Sequence, residues 1–392
     1  MKRKIIILLN RELRSDDFLK FGEEYYKNFN IEFEIWTFAY FRKKKINDLN
    51  KTKFQQKKIK NFEIINSFKD LKTRVEKNNK NRKLIFLDNN NILSFNFLRK
   101  YFNNKKLVYG KINLSPIPTK SIKFFEKLNI SLKVFINNPI IKLFNYLDRI
   151  KNFFLIKYSN SYIYNYSFIL ISGSKSSLKH ANTNTKIIYA FSYDYLKYIN
   201  MKHNTKFELP YKNYTVFIDE GNYDHPDFKL LNIKPYVAKD IFFNEINLFF
   251  NWYEKKYNTN IVVAGHPRLK YDSNLYSKRL LIKNDTLNLV KNCDNVLIQM
   301  STAASFAVLF NKPITHIISD NHDYKLINRV LAFHLELESN LINISRELNT
   351  DIKFNFSNQK YNHYISKYLK HKNSKQSNLW DIFMDSFLKN NL

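Results

Sequence analysis

Cysteine is almost absent from the chain, which has one, Cys293, among 392 residues. A single cysteine can form neither an intrachain disulfide nor a zinc cluster of cysteines, so a reducing compartment, the cytoplasm, is expected. Long apolar runs are absent as well. The run near the amino terminus, Ile5 to Leu9, has five residues, too short for a signal peptide and far below the roughly 18 residues of a membrane span. This run predicts a first β-strand instead.

Glycine and proline are scarce, with 5 and 8 residues, whereas lysine, asparagine, isoleucine, phenylalanine and tyrosine are abundant. This usage is typical of an AT-rich coding sequence and accounts for part of the formal net charge of +31. Dense positive charge attracts phosphate in general, but no zinc-finger spacing or RNA-binding signature accompanies it. Nucleic acid is therefore not the expected partner. We interpret the charge as a basic surface that rests on the anionic inner membrane or guides an anionic substrate.

The chain has enough apolar material for two cores, because 44% of its residues are hydrophobic and 16% are aromatic. Its length predicts two domains, which we place at residues 1–200 and 201–392. In the first half the apolar runs "KIIILLN", "IEFEIWTFAY", "RKLIFLD" and "KLVYGKI" alternate with amphipathic stretches such as "DDFLKFGEEYYKNF". This alternation of strand and helix predicts an open parallel sheet.

Two segments interrupt that alternation. Residues 43–60 are polar and basic, which predicts a solvated loop or a surface helix. Residues 138–168 interleave aromatic residues with lysines. They are interpreted as a buried helix pair or, alternatively, as an amphipathic surface that faces a membrane or a partner.

The second half is a clearer series of βα units. The runs "YTVFIDEG", "NIVVAG", "NVLIQM" and "ITHIIS" predict strands, and residues 239–258 carry apolar residues at helical spacing. In an open α/β sheet, ligands bind at the carboxyl ends of the strands. The residues that follow these strands are therefore the candidates for a site.

Three motifs stand at such strand ends: Asp219-Glu220-Gly221, Gly265-His266-Pro267-Arg268 and the run "STAAS" at 301–305. A carboxylate at a strand end can accept a proton from a hydroxyl group, and a second acid beside it raises its basicity by repulsion. A histidine can donate a hydrogen bond to a phosphate or protonate a leaving group, and an arginine adds a charge-assisted contact. Hydroxyls and free backbone amides at a helix start bind anions. Together the motifs predict transfer from a nucleotide-activated donor.

Each motif also has an ordinary structural explanation. The acidic pair is common in solvated loops, a serine or threonine often caps a helix, and His-Pro is common in turns. The chain itself contains a second His-Pro pair, His225-Pro226, which we interpret as such a turn. The clusters "NYDHPD" (222–227) and "SDNHDY" (319–324) are likewise expected to be solvent-exposed turns, and no catalytic metal is expected because the histidine spacing of a zinc site is missing.

The order of an acid-acid-glycine motif, a His-Pro motif and a Ser/Thr motif resembles bacterial sialyltransferases and related transferases of nonulosonic acids or Kdo in surface polysaccharide synthesis. The resemblance covers roughly residues 210–320. It implies an α/β GT-B fold, with two Rossmann-like domains that face a central cleft. It also implies a CMP-activated donor, inversion, and catalysis without a metal or other cofactor.

The resemblance also implies roles for individual residues. Glu220 is the implied general base with Asp219 in support, although the base assignment stays open between the two because many of these enzymes have Asp at that position. His266 would bind the donor phosphate or act as the acid. The implied donor-binding set is Gly221, Gly265, His266, Pro267, Arg268, Ser301, Thr302 and Ser305. Asp194, at a strand-to-helix turn, is a secondary candidate on the acceptor side, and its alternative role is a helix cap or an exposed loop acid.

These observations predict an inverting, metal-independent glycosyltransferase that moves a sialic-acid-like sugar or Kdo from its CMP donor. The expected acceptor is a glycan or glycolipid, and the expected location is the cytoplasm, at the inner face of the inner membrane. Two alternatives stay open. One is a CDP-polyol phosphotransferase of teichoic-acid type, and the other is a non-catalytic protein of polysaccharide assembly.

Overall fold

The computed structural model describes residues 2–14, 16–39, 59–89, 96–119, 165–178, 181–201, 209–231, 233–272, 274–346 and 351–389. The basic segment 43–60 and the aromatic segment 138–168 lie almost entirely outside the described residues. Within the described part of the chain, no helix is both long and apolar enough to span a membrane.

The first half folds into a parallel sheet of seven strands. They are β1 (Lys2–Leu9), β2 (Glu32–Thr37), β3 (Phe62–Ile64), β4 (Arg82–Asp88), β5 (Val108–Asn113), β6 (Phe168–Ile171) and β7 (Lys186–Tyr189). The strand order is β3-β2-β1-β4-β5-β6-β7, and β1 pairs in parallel with both β2 and β4. The helices of this half are α1 (Asp17–Lys20), α2 (Glu23–Asn28), α3 (Phe68–Asn79), α4 (Asn96–Asn104) and α5 (Tyr193–Ile199).

The second half forms a parallel sheet of six strands in the order β10-β9-β8-β11-β12-β13. The strands are β8 (Tyr214–Ile218), β9 (Asn260–Gly265), β10 (Leu281–Lys283), β11 (Asn295–Ile298), β12 (Ile314–Ile318) and β13 (Asn340–Asn343). The helices are α6 (Pro226–Leu231), α7 (Lys239–Tyr257), α8 (Thr286–Asn292), α9 (Ala304–Leu309), α10 (Tyr324–Leu337), α11 (Asn358–Tyr364) and α12 (Leu379–Phe383). One π-helical turn extends each of the last two, at Ile365–Leu369 and Met384–Leu388.

Both sheets are buried on their two faces by helices, which explains why their strands are continuous apolar runs. In β1, for example, every residue from Ile5 to Leu9 is fully buried. The predicted fold class, α/β with two Rossmann-like domains in a GT-B-like arrangement, is confirmed.

The carboxyl-terminal segment joins the two halves. Tyr361 and Tyr364 of α11 pack into the core of the second sheet, whereas Trp380 and Phe383 of α12 pack into the core under the first sheet. The last helix of the predicted second domain, 201–392, therefore returns to the first sheet.

The amphipathic stretch at residues 16–29 forms two short helices, because the chain turns at Gly22 between α1 and α2. Gly22 has a φ of +81°, which glycine adopts without steric cost. A Cβ at this position would lie 2.6 Å from the ring of Trp380. The break in the helix therefore lets the returning helix α12 approach the backbone closely.

Strand order changes direction at one position in each sheet, between β1 and β4 in the first and between β8 and β11 in the second. At such a switch point the connecting segments leave the strands in opposite directions and open a crevice at the carboxyl edge. The motif 219–221 follows β8, and residues 299–302 follow β11. The second switch point is therefore where two of the three predicted motifs meet.

Candidate active site

Glu220 bridges the second switch point. Its Oε2 accepts a hydrogen bond of 2.7 Å from the backbone N–H of Met300, just beyond β11. Asn222 Nδ2 lies 3.0 Å from the same oxygen. Among the contacts of the described residues, the other carboxyl oxygen, Oε1, is buried and has no hydrogen-bond partner. Burial raises the pKa of Glu220 to about 8, and repulsion from Asp219 adds to the rise.

Asp219 has a different environment, because its carboxylate is surrounded by donors. It is buried and accepts from the backbone of Gly221 at 2.8 Å and from the hydroxyls of Tyr223 and Tyr271 at 2.9 and 2.7 Å. Burial raises the pKa of Asp219, while these hydrogen bonds oppose the rise. In this arrangement the carboxylate holds the strand end in place, and its part in catalysis stays a prediction.

Tyr271 extends that role to the second motif. Its hydroxyl donates to Asp219 and accepts the backbone N–H of His266 at 2.6 Å. Gly221, with a φ of +68°, turns the chain directly after the acids, and a Cβ there would lie 2.5 Å from Leu269. Asp219 thus fixes the position of the 265–268 turn relative to the end of β8.

Replacement of Asp219 with Asn is expected to lower the free energy of unfolding by about 1–3 kcal/mol, since a buried charged acceptor of three hydrogen bonds is lost. Urea unfolding would measure the change. Turnover per folded molecule should fall far less than in Glu220→Gln, and Tyr271→Phe should reproduce part of the destabilisation. A fully stable but inactive Asp219→Asn protein would instead identify Asp219 as the base.

His266 follows Gly265, the last residue of β9. The backbone at Gly265 lies so close to Leu281 that a Cβ there would be 2.9 Å from its side chain. Nδ1 of His266 accepts the backbone N–H of Arg268 at 3.3 Å. Burial lowers the pKa of His266 to about 4, and the neighbouring His225 and Arg268 lower it further. The ring is therefore neutral at pH 7 with its proton on Nε2, the form that can donate a hydrogen bond to a phosphate oxygen.

The interpretation of His225-Pro226 as an isolated exposed turn is wrong. The ring of His225 packs edge-on against that of His266, with centroids 4.7 Å apart. It also repeats the local geometry, because its Nδ1 accepts the backbone N–H of Asp227 at 3.1 Å. Arg268 joins the two turns, with one nitrogen 2.9 Å from Asp227 and another 3.0 Å from His225 Nε2. The two His-Pro motifs form one cluster, and the repeated motif was the sequence signal for it.

The first domain contributes a residue to this cluster that sequence reasoning missed. Arg14 lies in the loop after β1, and its backbone N–H donates to the buried Asp17 at 2.8 Å. Arg11 also binds Asp17, through two bonds of 2.6 and 2.7 Å. Burial lowers the pKa of Arg14, and the charges of Arg11 and Arg268 lower it further. The charge of Arg14 also lowers the pKa of His225 and His266, so this residue of the first half acts on the His-Pro motifs of the second half. The available signal was the run "RELR" directly after the first strand.

We call the set Arg14, His225, His266 and Arg268 the cationic cluster. It combines two arginines with two neutral histidines. Both ring nitrogens of His225 face donors of Asp227 and Arg268, so His266 is the histidine whose Nε2–H can donate to an anion beside the arginine charges. Arginine is the residue best suited to phosphate oxygens. The cluster therefore has the chemistry of an anion site that requires both domains.

The 301–305 segment divides into two parts. Ser301 and Thr302 precede α9 and are accessible, and the Ser301 hydroxyl accepts the backbone N–H of Ala303 at 3.2 Å. Ser305 is buried, with 2% of its surface exposed. Its hydroxyl interacts with the side chains of Asp194 and Tyr364. Ser305 is thus separate from the two accessible hydroxyls, and its assignment to the donor stays a prediction.

Asp194 lies at the contact between α5 and α9, where the two halves of the chain meet. Ser192, rather than Asp194, caps α5, because its hydroxyl accepts the backbone N–H of Tyr195 at 3.1 Å. Burial raises the pKa of Asp194 to about 6, although the nearby Lys197 and Lys20 oppose the rise. The carboxyl is half-buried and interacts with the Ser305 hydroxyl, and its contact with an acceptor stays a prediction.

The segments 222–227 and 319–324 are exposed in part, as predicted, but Asn222, Ser319 and His322 are buried within them. Asn222 and His322 are each 5% exposed and Gln299 is 1% exposed. Asn222 Nδ2 lies 2.8 Å from Gln299 Oε1, Gln299 Nε2 lies 3.1 Å from His322 Nε2, and the backbone N–H of Ser319 donates to His322 Nδ1 at 3.1 Å. We call Asn222, Gln299 and His322 the polar relay. It runs along the carboxyl edge of the sheet and ends at Glu220.

Metal use stays a prediction as well. Among the residues that the structure describes, no three His, Cys, Asp or Glu side chains are grouped as a metal site. A cavity of about 650 Å³ opens elsewhere, at the amino edge of the first sheet between Arg3, Lys83 and Lys186. It lies apart from the three motifs, which follow strands of the second sheet at its carboxyl edge.

The fold and this site define the chain as a two-domain α/β protein with a polar cleft at the carboxyl edges of its sheets. No protein-family model matches the sequence. A curated relative, the DNA-directed RNA polymerase subunit beta'' of Plasmodium falciparum (isolate 3D7), is 26% identical over 297 residues, which are 71% of this chain and 28% of that protein. The chain thus spans under a third of that relative, and at this identity the match defines no family.

Solved structures with a similar arrangement include two glycosyltransferases and a UDP-GlcNAc 2-epimerase. The glycotransferase of kitacinnamycin matches with a TM-score of 0.44 at 9% identity, over 88% of this chain and 87% of that one. The calicheamicin glycosyltransferase CalG4 gives 0.44 at 9% identity, over 88% and 86%. The UDP-GlcNAc 2-epimerase from Neisseria meningitidis gives 0.45 at 11% identity, over 99% and 100%. Similarity at this level does not define an activity for the chain.

Proposed function

We propose that the protein is a metal-independent, inverting glycosyltransferase that uses a CMP-activated nonulosonic acid, sialic-acid-like or Kdo, as its donor. The proposed acceptor is a surface glycan or glycolipid. The net charge of +31 suits a location at the anionic cytoplasmic face of the inner membrane. The donor class rests on the motif resemblance, and the chemistry rests on the site.

The observation that carries the proposal is the position of Glu220 beside the cationic cluster. Glu220 lies at the end of β8 and His266 at the end of β9, and these strands are neighbours that pair in parallel. Their ends therefore lie at the same edge of the sheet. A proton acceptor next to an anion site is what a transfer from a nucleotide donor to a hydroxyl group requires.

The proposed reaction is a single in-line displacement at the anomeric carbon. The acceptor oxygen forms a bond to that carbon as its proton moves to the ionised carboxylate of Glu220. The bond from the anomeric carbon to the phosphate oxygen breaks, and the nucleotide leaves with the electron pair. His266 and the two arginines stabilise the charge that develops on the departing phosphate, as preorganised donors do in other transfer reactions. Closure of the two domains would keep water away from the donor.

The first test is the nucleotide that the cleft prefers. Calorimetry with CMP, CDP, UDP and GDP is expected to show selective binding of CMP. His266→Ala should weaken that binding by about tenfold, because one hydrogen bond to a charged group is lost. His371→Ala, which removes a histidine that stacks on Tyr189 away from the motifs, should leave the affinity unchanged.

The other outcomes distinguish the alternatives. A preference for UDP or GDP would exclude the proposed donor while leaving a glycosyltransferase on the same fold. Release of CMP with phosphate retained on the acceptor would identify the CDP-polyol phosphotransferase, whose product differs from that of a sugar transferase. Absence of binding to any nucleotide would favour the non-catalytic assembly protein.

A further inference from the structure

The hydrogen bonds of the polar relay must all donate in one direction. The contact of His322 with Ser319, at the end away from Glu220, determines which direction this is. The backbone N–H of Ser319 lies 3.1 Å from His322 Nδ1. A backbone N–H can only donate, so Nδ1 must accept and carries no proton. Burial lowers the pKa of His322 to about 4, so the ring is neutral and its single proton is on Nε2.

The direction then passes along the relay one group at a time. The Nε2–H of His322 faces the Gln299 amide at 3.1 Å, so the oxygen of that amide must accept it. A half-turn of a terminal amide exchanges its oxygen and nitrogen without moving another atom. The NH₂ group of Gln299 then points at Asn222, 2.8 Å away, which must accept with its own oxygen.

The same atom of Asn222 lies 3.0 Å from Glu220 Oε2. When this atom is an oxygen, it cannot donate, and the contact is a hydrogen bond only if Glu220 supplies the proton. The opposite direction, with an ionised Glu220, would make Asn222 and Gln299 donate in turn. His322 would then carry its proton on Nδ1, against the N–H of Ser319. Only the protonated carboxyl satisfies every group in the chain of contacts.

We propose that Glu220 holds a proton in the free protein, and that His322 is the positioning residue that keeps it there through Gln299 and Asn222. The buried Oε1 of Glu220, which has no partner among the described residues, fits the carbonyl oxygen of a neutral acid better than it fits a carboxylate.

The charged groups around the relay agree with this direction. Asp219, at the same strand end, carries a charge that repels an ionised Glu220 and therefore favours its protonated form. Glu245 on α7 accepts from the Ser319 hydroxyl at 2.6 Å. Its charge raises the pKa of His322, but the effect of burial is larger and lowers it. The backbone N–H of Met300, just beyond β11, donates to the same Oε2. A protonated oxygen keeps a lone pair for this bond, although a carboxylate oxygen is the stronger acceptor.

For the reaction, this inference rests on the proposed function. A base that carries a proton must lose it before it can accept one from a hydroxyl, so transfer should rise with pH as Glu220 ionises. Because the relay favours the protonated form of Glu220, the ionised carboxylate is a stronger base but is less populated at neutral pH. Ionisation of Glu220 also requires the amides of Asn222 and Gln299 to turn. Loss of the Glu220 proton therefore changes the hydrogen bond that Gln299 makes with His322.

The test uses the free protein, so it does not depend on the donor. Infrared absorption of protonated carboxyl groups, recorded against pH, would report Glu220 as the band that Glu220→Gln removes. His322→Asn keeps an acceptor for Ser319 in the place of Nδ1 but has no group at the Nε2 position. Gln299→Met interrupts the relay at its centre. Ser319→Ala removes a hydroxyl from the same turn and leaves the backbone N–H and His322 intact.

His322→Asn and Gln299→Met are each expected to lower the pH at which the band disappears by about one unit, because Asn222 can then turn and donate to the carboxylate. Ser319→Ala should not move it. An unchanged midpoint in both relay variants, or an equal shift in Ser319→Ala, would overturn the proposal. In a transfer assay the relay variants should move the pH profile toward acid, whereas a purely structural role would lower activity equally at every pH. If Glu220→Gln retains transfer, the proposed function fails and the infrared result still stands.

Discussion

Replacement of Glu220 with Gln is expected to lower kcat for sugar transfer by about 10²- to 10⁴-fold, the usual contribution of a general base. Glutamine has the shape of glutamate and can still accept the Met300 N–H through its amide oxygen, but it cannot take a proton. Affinity for the donor nucleotide should stay close to that of the unaltered protein, since the cationic cluster is untouched. Steady-state kinetics with the CMP donor, together with calorimetric binding, would separate the two effects.

Two controls make the result specific. Asp219→Asn should affect the free energy of unfolding more than turnover, because Asp219 accepts three hydrogen bonds. Glu220→Asp should retain measurable activity, because a shorter carboxylate remains at the strand end. Full activity in Glu220→Gln would show that Glu220 has a structural role and is not the general base. It would remove the main support for the proposed glycosyltransferase function.

The fold could be predicted from the sequence because its signals are local. Each buried parallel strand is a short apolar run, and each run is followed by an amphipathic stretch, so the strand ends could be identified without knowledge of strand order. Parallel pairing then places all the motifs on one edge. This is why Glu220, His266 and Ser301 could be grouped before the topology was known.

The missed residues depend on contacts that are distant in the sequence. His225 was interpreted as a turn because its motif gives no information on burial, and its packing against His266 depends on how two loops meet across neighbouring strands. His322 and Asn222 belong to polar runs that usually lie in solvent. They are buried here because α7 and the strand ends pack over them. A run of polar residues in the sequence gives no indication of such burial.

Helix boundaries show the same limit. The stretch at residues 16–29 has a continuous amphipathic pattern, yet it breaks at Gly22 because Trp380, more than 350 positions later, occupies the space where a side chain would lie. The sequence marks the position with a glycine, but only the return of α12 explains it. Local pattern therefore predicted the elements, whereas long-range packing determined the details of the site.

Replacement of Arg14 with Ala is expected to have opposite effects on the free and the bound protein. In the free protein Arg14 is exposed, yet partial desolvation and the charges of Arg11 and Arg268 lower its pKa. Removal of this charge relieves the repulsion, so the melting temperature without ligand should rise. Nucleotide affinity should fall by about 10- to 100-fold, since a charge-assisted contact to phosphate is lost.

The matched control for Arg14 is Arg3, which carries the same charge but lies at the amino end of β1, whereas Arg14 lies in the loop beyond the carboxyl end of that strand. Arg3→Ala should leave nucleotide affinity unchanged. Arg11→Ala should lower the melting temperature instead of raising it, because it leaves the buried Asp17 without its bidentate partner. A fall in both stability and affinity for Arg14→Ala would mean that Arg14 supports the loop. A rise in stability with a loss of affinity would mean that the protein maintains an unfavourable pair of like charges across its cleft, and that the phosphate of the ligand neutralises this pair when it binds.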